Sequence, residues 1–369
     1  MSLSSSGTGP AHPVPPRPVT VVVCGLGSVG SALLRLVAAR VEQVRRQHGV
    51  RLVVVGVVDS RGAALDAAGL DVPTVLATKE GGASVGDLPD VGVPGADAAQ
   101  VLSRLGAAGH PVDVVVEAGP ADLRTGGAGL AAVLAARAAG AAVVLANKAP
   151  LALAWEQVVE APGPAVRYSA CVGAALPTVD LLRSVAVSAS PVRLEVVLNS
   201  TCQRVLGDVE AGLSAAEAVA AAQAAGLAEA DPYLDVDGTD TAVKLVVLMA
   251  ALGHRVRLDE VSVTGVREVT ADLATRARER GEILVLMGTA VPAPRPREGW
   301  TLEVAPVALP RHHPLARMDR HETGLVVHTD VAGTIAASGR HEDVTATAAA
   351  VLRDVLVVAG TSTPHAPRP

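Results

Sequence analysis

The chain has 369 residues, enough for a large two-part enzyme or two domains, and half of them are hydrophobic. Aromatics make up 1% with no Phe, so the core must pack on aliphatic side chains and nucleobase-stacking platforms are not expected. A net charge of -6 without a basic tract argues against a nucleic-acid partner.

Three widely spaced cysteines (Cys24, Cys171, Cys202) suggest neither a disulfide framework nor a zinc site. No apolar run reaches membrane-span length and the first residues do not read as a signal peptide, so a soluble cytoplasmic protein is expected. Basic residues are nearly all Arg; Lys occurs only at 79, 148 and 244. A chain that charges its surface with Arg is expected to keep Lys where a compact, deprotonatable amine matters.

In chain order, residues 1–18 are rich in Ser, Gly and Pro and read as a disordered tail. An apolar strand, Thr20 to Cys24, leads into Gly25-Leu-Gly27-Ser28-Val29-Gly30 and a helix from Ser31 to Arg46. Strand, GxGxxG and helix form a dinucleotide fingerprint: a tight turn, close backbone approach to the pyrophosphate, and a helix N-terminus aimed at it. A second strand, Leu52 to Val58, ends in Asp59-Ser60-Arg61. Asp59 is placed to accept from the ribose 2′-OH of NAD, whereas Arg61 with Lys79 would clasp the 2′-phosphate of NADP; either remains open, as does a solvated loop.

The strand Asp113 to Glu117 closes on Ala118-Gly119-Pro120, and an Ala-rich helix follows from Gly129 to Ala139. A strand from Ala142 to Ala146 then ends in Asn147-Lys148-Ala149-Pro150. This alternation predicts a doubly wound parallel sheet, with ligands at the carboxyl ends of its strands, where Lys148 sits.

Beyond residue 151 the pattern changes. A turn-rich segment, Ser169 to Pro177, precedes a helix from Thr178, and Arg193 to Leu198 alternates as a strand into Asn199-Ser200-Thr201-Cys202. Ser214 caps a helix reaching about Ala225. Glu229, Asp231, Asp235, Asp237 and Asp240 then crowd into a loop broken by Pro232 and Gly238. Asp240 and Lys244 lie one helical turn apart at the mouth of an apolar helix running to Leu252. A buried ammonium needs a carboxylate partner, so the pair is either a structural ion pair or a working one. A calcium loop fails, because Gly238 in sixth place would make Tyr233 the first ligand and Lys244 the last. Further strands are expected at 261–266, 283–287, 301–307 and 324–327, with a closing helix from Thr345 to Val358.

Over residues 19–360 these motifs together resemble homoserine dehydrogenase. They are the glycine turn, Ala146-Asn147-Lys148-Ala149-Pro150, Val172-Gly173-Ala174-Ala175-Leu176-Pro177, Leu198-Asn199-Ser200-Thr201 and the acidic stretch through Lys244, followed by Val263 to Thr270, His313 to Ala316 and Thr345 to Val351. The resemblance implies an α/β protein: an N-terminal Rossmann-type doubly wound sheet (19–165, with 340–360) and an α+β catalytic and dimerisation domain (166–339), with tails at 1–18 and 361–369. It implies reduction of L-aspartate 4-semialdehyde to L-homoserine with NADP(H) or NAD(H), a step toward threonine and methionine, in a cytoplasmic homodimer. No regulatory ACT domain, and so no threonine feedback through one, is expected.

By the same resemblance Lys244 is the acid/base and Lys148 a second ammonium near the reacting oxygen, while Asp240 would orient Lys244 or bind the substrate hydroxyl. Glu229 would take the substrate α-ammonium, Asp235 would support the lysines, and Thr201 would hydrogen-bond substrate. The cofactor set is Gly25, Gly27, Ser28, Val29, Gly30, Asp59, Arg61, Lys79, Gly119 and Asn147. Backbone carbonyls of Val172, Ala174 and Leu176 would hold Na+ or K+. The chain departs from the family pattern at Ser169 (Glu), Gly119 (Thr), Ser200 (Gly), Leu284–Met287 (Ile-Lys-Leu-Leu), Thr323-Gly324 (Asn-Ala) and Ser338–Asp343 (Gly-Ala-Gly). Those departures leave two other readings: an oxidoreductase for a different amino-acid semialdehyde or amino alcohol, and a non-catalytic cofactor-binding regulator.

Overall fold

Val19, Val21, Val22 and Val23 are all buried, so the first strand is covered on both faces, as parallel sheets between helical layers are. The computed structural model describes residues 15–224, 236–295 and 299–361. Its first half runs β1 (Arg17–Cys24), α1 (Ser28–Ala39), α2 (Val41–His48), β2 (Val50–Asp59), β3 (Gly62–Leu65), α3 (Val72–Glu80), β4 (Gly92–Pro94), α4 (Ala98–Ala107), β5 (Val114–Glu117), α5 (Gly127–Ala138), β6 (Ala142–Leu145), α6 (Ala149–Trp155) and β7 (Val166–Arg167). Among the described residues these strands form one sheet in the order β4-β3-β2-β1-β5-β6-β7. β1 pairs in parallel with β2 on one side and β5 on the other, which makes their carboxyl ends the switch point of a doubly wound sheet.

The second half continues with α7 (Thr178–Ala186), β8 (Pro191–Val197), α8 (Ser200–Glu210), α9 (Ala215–Ala224), α10 (Thr239–Ala251), β9 (Ser262–Val263), α11 (Ala271–Glu279), β10 (Ile283–Pro292), β11 (Trp300–Leu309), β12 (Glu322–Thr329), β13 (Thr334–Arg340) and α12 (Thr345–Thr361). Its sheet, ordered β13-β12-β8-β10-β11-β9, is antiparallel apart from the short β9. One apolar cluster runs without a break from Val22 and Val115 through Leu145 and Leu182 to Leu245 and Leu286, joining the two halves. α12 returns to the first sheet, where Val351 and Val355 pack with Leu33, Val21 and Val144.

Several expectations are corrected. The single helix expected over 31–46 is two, broken at Arg40 (φ -113°), because the second piece, Val-Glu-Gln-Val-Arg-Arg-Gln-His, is polar and offers the core only Val44. Arg17 and Pro18 belong to β1 instead of the tail, pairing with Val50 and Arg51. The strand expected at 261–266 is only Ser262–Val263. β3, β4 and β13 carry no apolar alternation and were not expected; Ser338 to Arg340, where the family pattern has its Gly-Ala-Gly turn, end β13. Most of the expected tails, and the acidic residues Glu229, Asp231 and Asp235, lie outside the described residues.

Candidate active site

Two stretches far apart in sequence meet at the carboxyl edge of the first sheet. After β6 the chain passes Ala146-Asn147-Lys148 into α6, whose second residue, Pro150, is suited to a helix start. Asn147 is buried and fixed: its Nδ2 donates to Glu117 Oε1 and to the Pro120 carbonyl, both at 3.2 Å, and its Oδ1 accepts from Ala149 N at 3.0 Å. That leaves Lys148 no latitude at its Cα. The other stretch is α10, which starts after Gly238, in the left-handed region at φ 86°.

Asp240, in the first turn of α10, bridges the two lysines. Lys148 Nζ lies 2.8 Å from its Oδ1 and Lys244 Nζ 2.7 Å from its Oδ2. Asn199 Nδ2 donates to the same Oδ2 at 3.1 Å, and Lys244 Nζ also donates to the Leu198 carbonyl at 2.7 Å. Burial alone would raise the Asp240 pKa, but the attraction of Lys244 and then Lys148 outweighs it and holds the carboxyl far below its ordinary value. Two ammoniums sharing one carboxylate leave a net charge of about +1, which suits an oxygen that turns anionic. The lysines face a cavity of about 440 Å³.

Further walls of that cavity come from residues 170–174, the first turn of α8, the start of β12 and the loop before α12. Asn199 caps α8, its Oδ1 accepting from Cys202 N at 2.9 Å, so Ser200 and Thr201 open a helix at the cavity wall instead of forming a loose turn. Opposite stand Thr323 and His341, 3.1 Å apart, with His321, Glu342 and Asp343 beside them. Burial lowers the His341 pKa, opposed by a hydrogen bond to the Gly173 main chain. None of these facing residues was singled out as a site residue; the signal was the bulky, charged sequence where the family pattern has small residues.

A second cavity, of about 560 Å³, opens at the switch point beside the glycine turn. Cys24, Glu117 and Leu145 are side by side in register on β1, β5 and β6, so this crevice and the lysine cavity are neighbours. Gly25 adopts φ 90°, and a Cβ there would lie 2.4 Å from Gly119 N; one on Gly30 would lie 1.9 Å from the Gly25 carbonyl oxygen. A Cβ on Gly27 would meet nothing within 4 Å. The turn is thus tight against its own fold and open toward solvent at the head of α1, with Ser28 and Val29 in the first helical turn, and it fits a dinucleotide pyrophosphate. Gly119 N donates to Glu117 Oε1 at 2.9 Å, and burial raises the Glu117 pKa.

At the far end of that crevice Asp59 is the hub of a knot. Its Oδ1 accepts from Arg61 N (2.9 Å), Gly62 N (3.1 Å) and Ser84 Oγ (2.9 Å), and its Oδ2 from Lys79 Nζ (2.8 Å) and Val85 N (3.1 Å). Burial opposes ionisation, yet the Lys79 ammonium and these donors bring its pKa down to about 2. The Arg61 side chain is exposed, with NH2 2.8 Å from the Gly82 carbonyl.

The sequence model of homoserine dehydrogenase matches residues 177–356. Homoserine dehydrogenase of Methanocaldococcus jannaschii is 28% identical over 91% of this chain and 97% of its own length. The NAD(+)-dependent homoserine dehydrogenase of Pseudomonas canavaninivorans is 30% identical over 91% of this chain and 95% of its own length. The crystal structure of homoserine dehydrogenase from Thermoplasma acidophilum superposes with a TM-score of 0.75 at 25% identity, covering 93% of this chain and 99% of that one. The chain belongs to the homoserine dehydrogenase family, nicotinamide-dependent oxidoreductases acting on a CH–OH group.

Proposed function

We propose that this chain interconverts L-aspartate 4-semialdehyde and L-homoserine in the cavity between Lys148 and Lys244. The observation that carries the reading is the doubly bridged Asp240, which holds both ammoniums at one wall. When bound, the reduced nicotinamide supplies the hydride to the aldehyde carbon. Lys244 Nζ then gives its proton to the oxygen as it becomes an alkoxide and is reprotonated from solvent, while Lys148 stabilises the developing charge. Asp240 holds both amines at the cavity wall. Thr201 hydrogen-bonds substrate from the start of α8, and Glu229 and Asp235, in the stretch outside the described residues, take the substrate ammonium and support the lysines.

For the cofactor, Gly25, Gly27, Ser28, Val29 and Gly30 receive the pyrophosphate, with Gly119 and Asn147 shaping the floor. Asp59 accepts five hydrogen bonds from its own chain, more than a carboxylate's four lone-pair sites serve well. It therefore anchors Lys79 and the Arg61 loop and leaves no acceptor for a ribose hydroxyl. Arg61, by contrast, keeps donors free, which favours the 2′-phosphate of NADP(H) over NAD(H).

We read residues 19–165 with the closing helix as the cofactor unit and 166–339 as the substrate and dimerisation unit of a cytoplasmic homodimer serving threonine and methionine synthesis. The place of β13 at the end of its sheet among the described residues and the exposed Val187 and Val331 support the dimer. Among the described residues no helix is long and apolar enough to cross a membrane. The decisive experiment is a matrix of homoserine and related amino alcohols against NADP+ and NAD+ with purified, folded protein. Homoserine with NADP+ should rank first, and absence of turnover in every cell would sink the proposal. The bulk of His341 and Asp343 in the cavity favours one rival, a different amino alcohol as substrate. A competitor exceeding homoserine about tenfold in kcat/KM would establish it.

A further inference from the structure

The resemblance to the family implies a monovalent cation on the main-chain carbonyls of Val172, Ala174 and Leu176, and the turn has the shape for it, with Gly173 at φ 89° and Ala174 at φ 51°. Two of those three oxygens already accept hydrogen bonds. Val172 O accepts the Thr178 hydroxyl at 2.7 Å and Leu176 O the Thr178 amide at 2.8 Å. Gly173 O takes the Leu176 amide at 3.0 Å, and the His341 ring hydrogen-bonds the same main chain. Between them, Ala175 O accepts from Arg353 NH1 at 3.1 Å. A cation needs several oxygens whose lone pairs converge on it, and hydrogens seated on those lone pairs repel it.

Ser169 stands at the family's glutamate position, and its Oγ and N both go to Asp354, at 2.9 and 2.8 Å. Asp354 and Asp180 are in turn paired with Arg167. Arg353 differs: its Nε and NH2 are buried and find no acceptor among the described residues. Adjacent residues of α12 thus brace the two ends of one segment, Asp354 holding Ser169 and Arg353 holding Ala175, with a guanidinium charge left over beside the turn.

We propose that the 172–176 turn of this chain binds neither Na+ nor K+, and that the Arg353 guanidinium is its built-in cation, ordering the carbonyls that the family otherwise orders with a metal ion. A fixed guanidinium at the turn excludes a second positive charge by Coulomb repulsion. It also ties the segment to α12, the helix that closes the cofactor unit.

The test reads thermal stability without substrate, so its outcome is separate from that of the dehydrogenase reading. Wild-type protein should show the same Tm in NaCl, KCl and tetramethylammonium chloride at matched ionic strength. A saturable rise in Tm with Na+ or K+ alone would overturn the proposal, as would an anomalous-scattering peak at the turn in crystals soaked with Tl+. Arg353→Met should lower the Tm, and Na+ or K+ should restore part of the loss where tetramethylammonium does not; no restoration would refute the built-in cation. Should R353M fail to fold, Arg353→Lys keeps the charge and should remain indifferent to cations, and a cation-dependent R353K would count against the idea.

Discussion

Lys148 Nζ sits 2.8 Å from Asp240 Oδ1, so a lysine at the rim of the first sheet takes its partner from a helix of the second half. The same carboxylate holds Lys244 at 2.7 Å, and the Leu198 carbonyl holds that amine as well. Lys244→Ala should therefore lower kcat by about 10²- to 10⁴-fold, the usual worth of a positioned acid. Cofactor affinity, measured by fluorescence titration, should stay near wild type, because the glycine turn lies in a different cavity. An unchanged kcat would remove Lys244 from the chemistry.

Acid stability follows from the same carboxylate. In the folded state the Asp240 pKa is held far below its ordinary 3.8, and that of Asp59 is lowered to about 2. As pH falls the unfolded chain takes up these protons first, so the stabilisation is whole at neutral pH, begins to shrink below about pH 5 and is lost through the folded values. The Tm of the wild type should therefore drop more steeply between about pH 5 and pH 3 than that of Asp240→Asn, which should start lower at neutral pH. Parallel curves would mean that Asp240 contributes nothing through its charge.

Much of this site was readable beforehand, for reasons of range. The glycine turn and the Asp240/Lys244 pair are local: one is written in consecutive residues, the other in the four-residue spacing of a helix. That Lys148 would share Asp240 is a tertiary fact, which the scarcity of lysine hinted at but no spacing encodes. The place of Asp59 at the end of β2 is local, yet its ties to Ser84 and Val85 depend on a loop that returns from far along the chain. β13 stayed hidden because Thr334 to Arg340 alternates only between exposed and half-buried positions, so no apolar period marks it.

Cofactor choice tests the knot around Asp59. Arg61→Ala should raise the KM for NADP+ by about 10- to 100-fold, the scale of a charge-assisted hydrogen bond to phosphate, and that for NAD+ by far less. Asp59→Asn should release Lys79 and lower the Tm instead of selectively harming NAD+. Equal effects of Arg61→Ala on both cofactors would retire it as the phosphate reader.

The glycine turn separates packing from binding at two positions of one motif. At Gly30 a Cβ would lie 1.9 Å from the Gly25 carbonyl oxygen, a backbone atom with nowhere to go. Gly30→Ala should cost at least about 1–3 kcal/mol, the range for overpacking, visible as a Tm several degrees lower. At Gly27 the added methyl meets no protein atom within 4 Å, and the residue, at φ -75°, tolerates a side chain. Gly27→Ala should leave the Tm unchanged while raising KM for the dinucleotide, because the methyl occupies space that the pyrophosphate must approach. A Gly27→Ala enzyme with both Tm and cofactor KM intact would show that the dinucleotide does not pass over this turn.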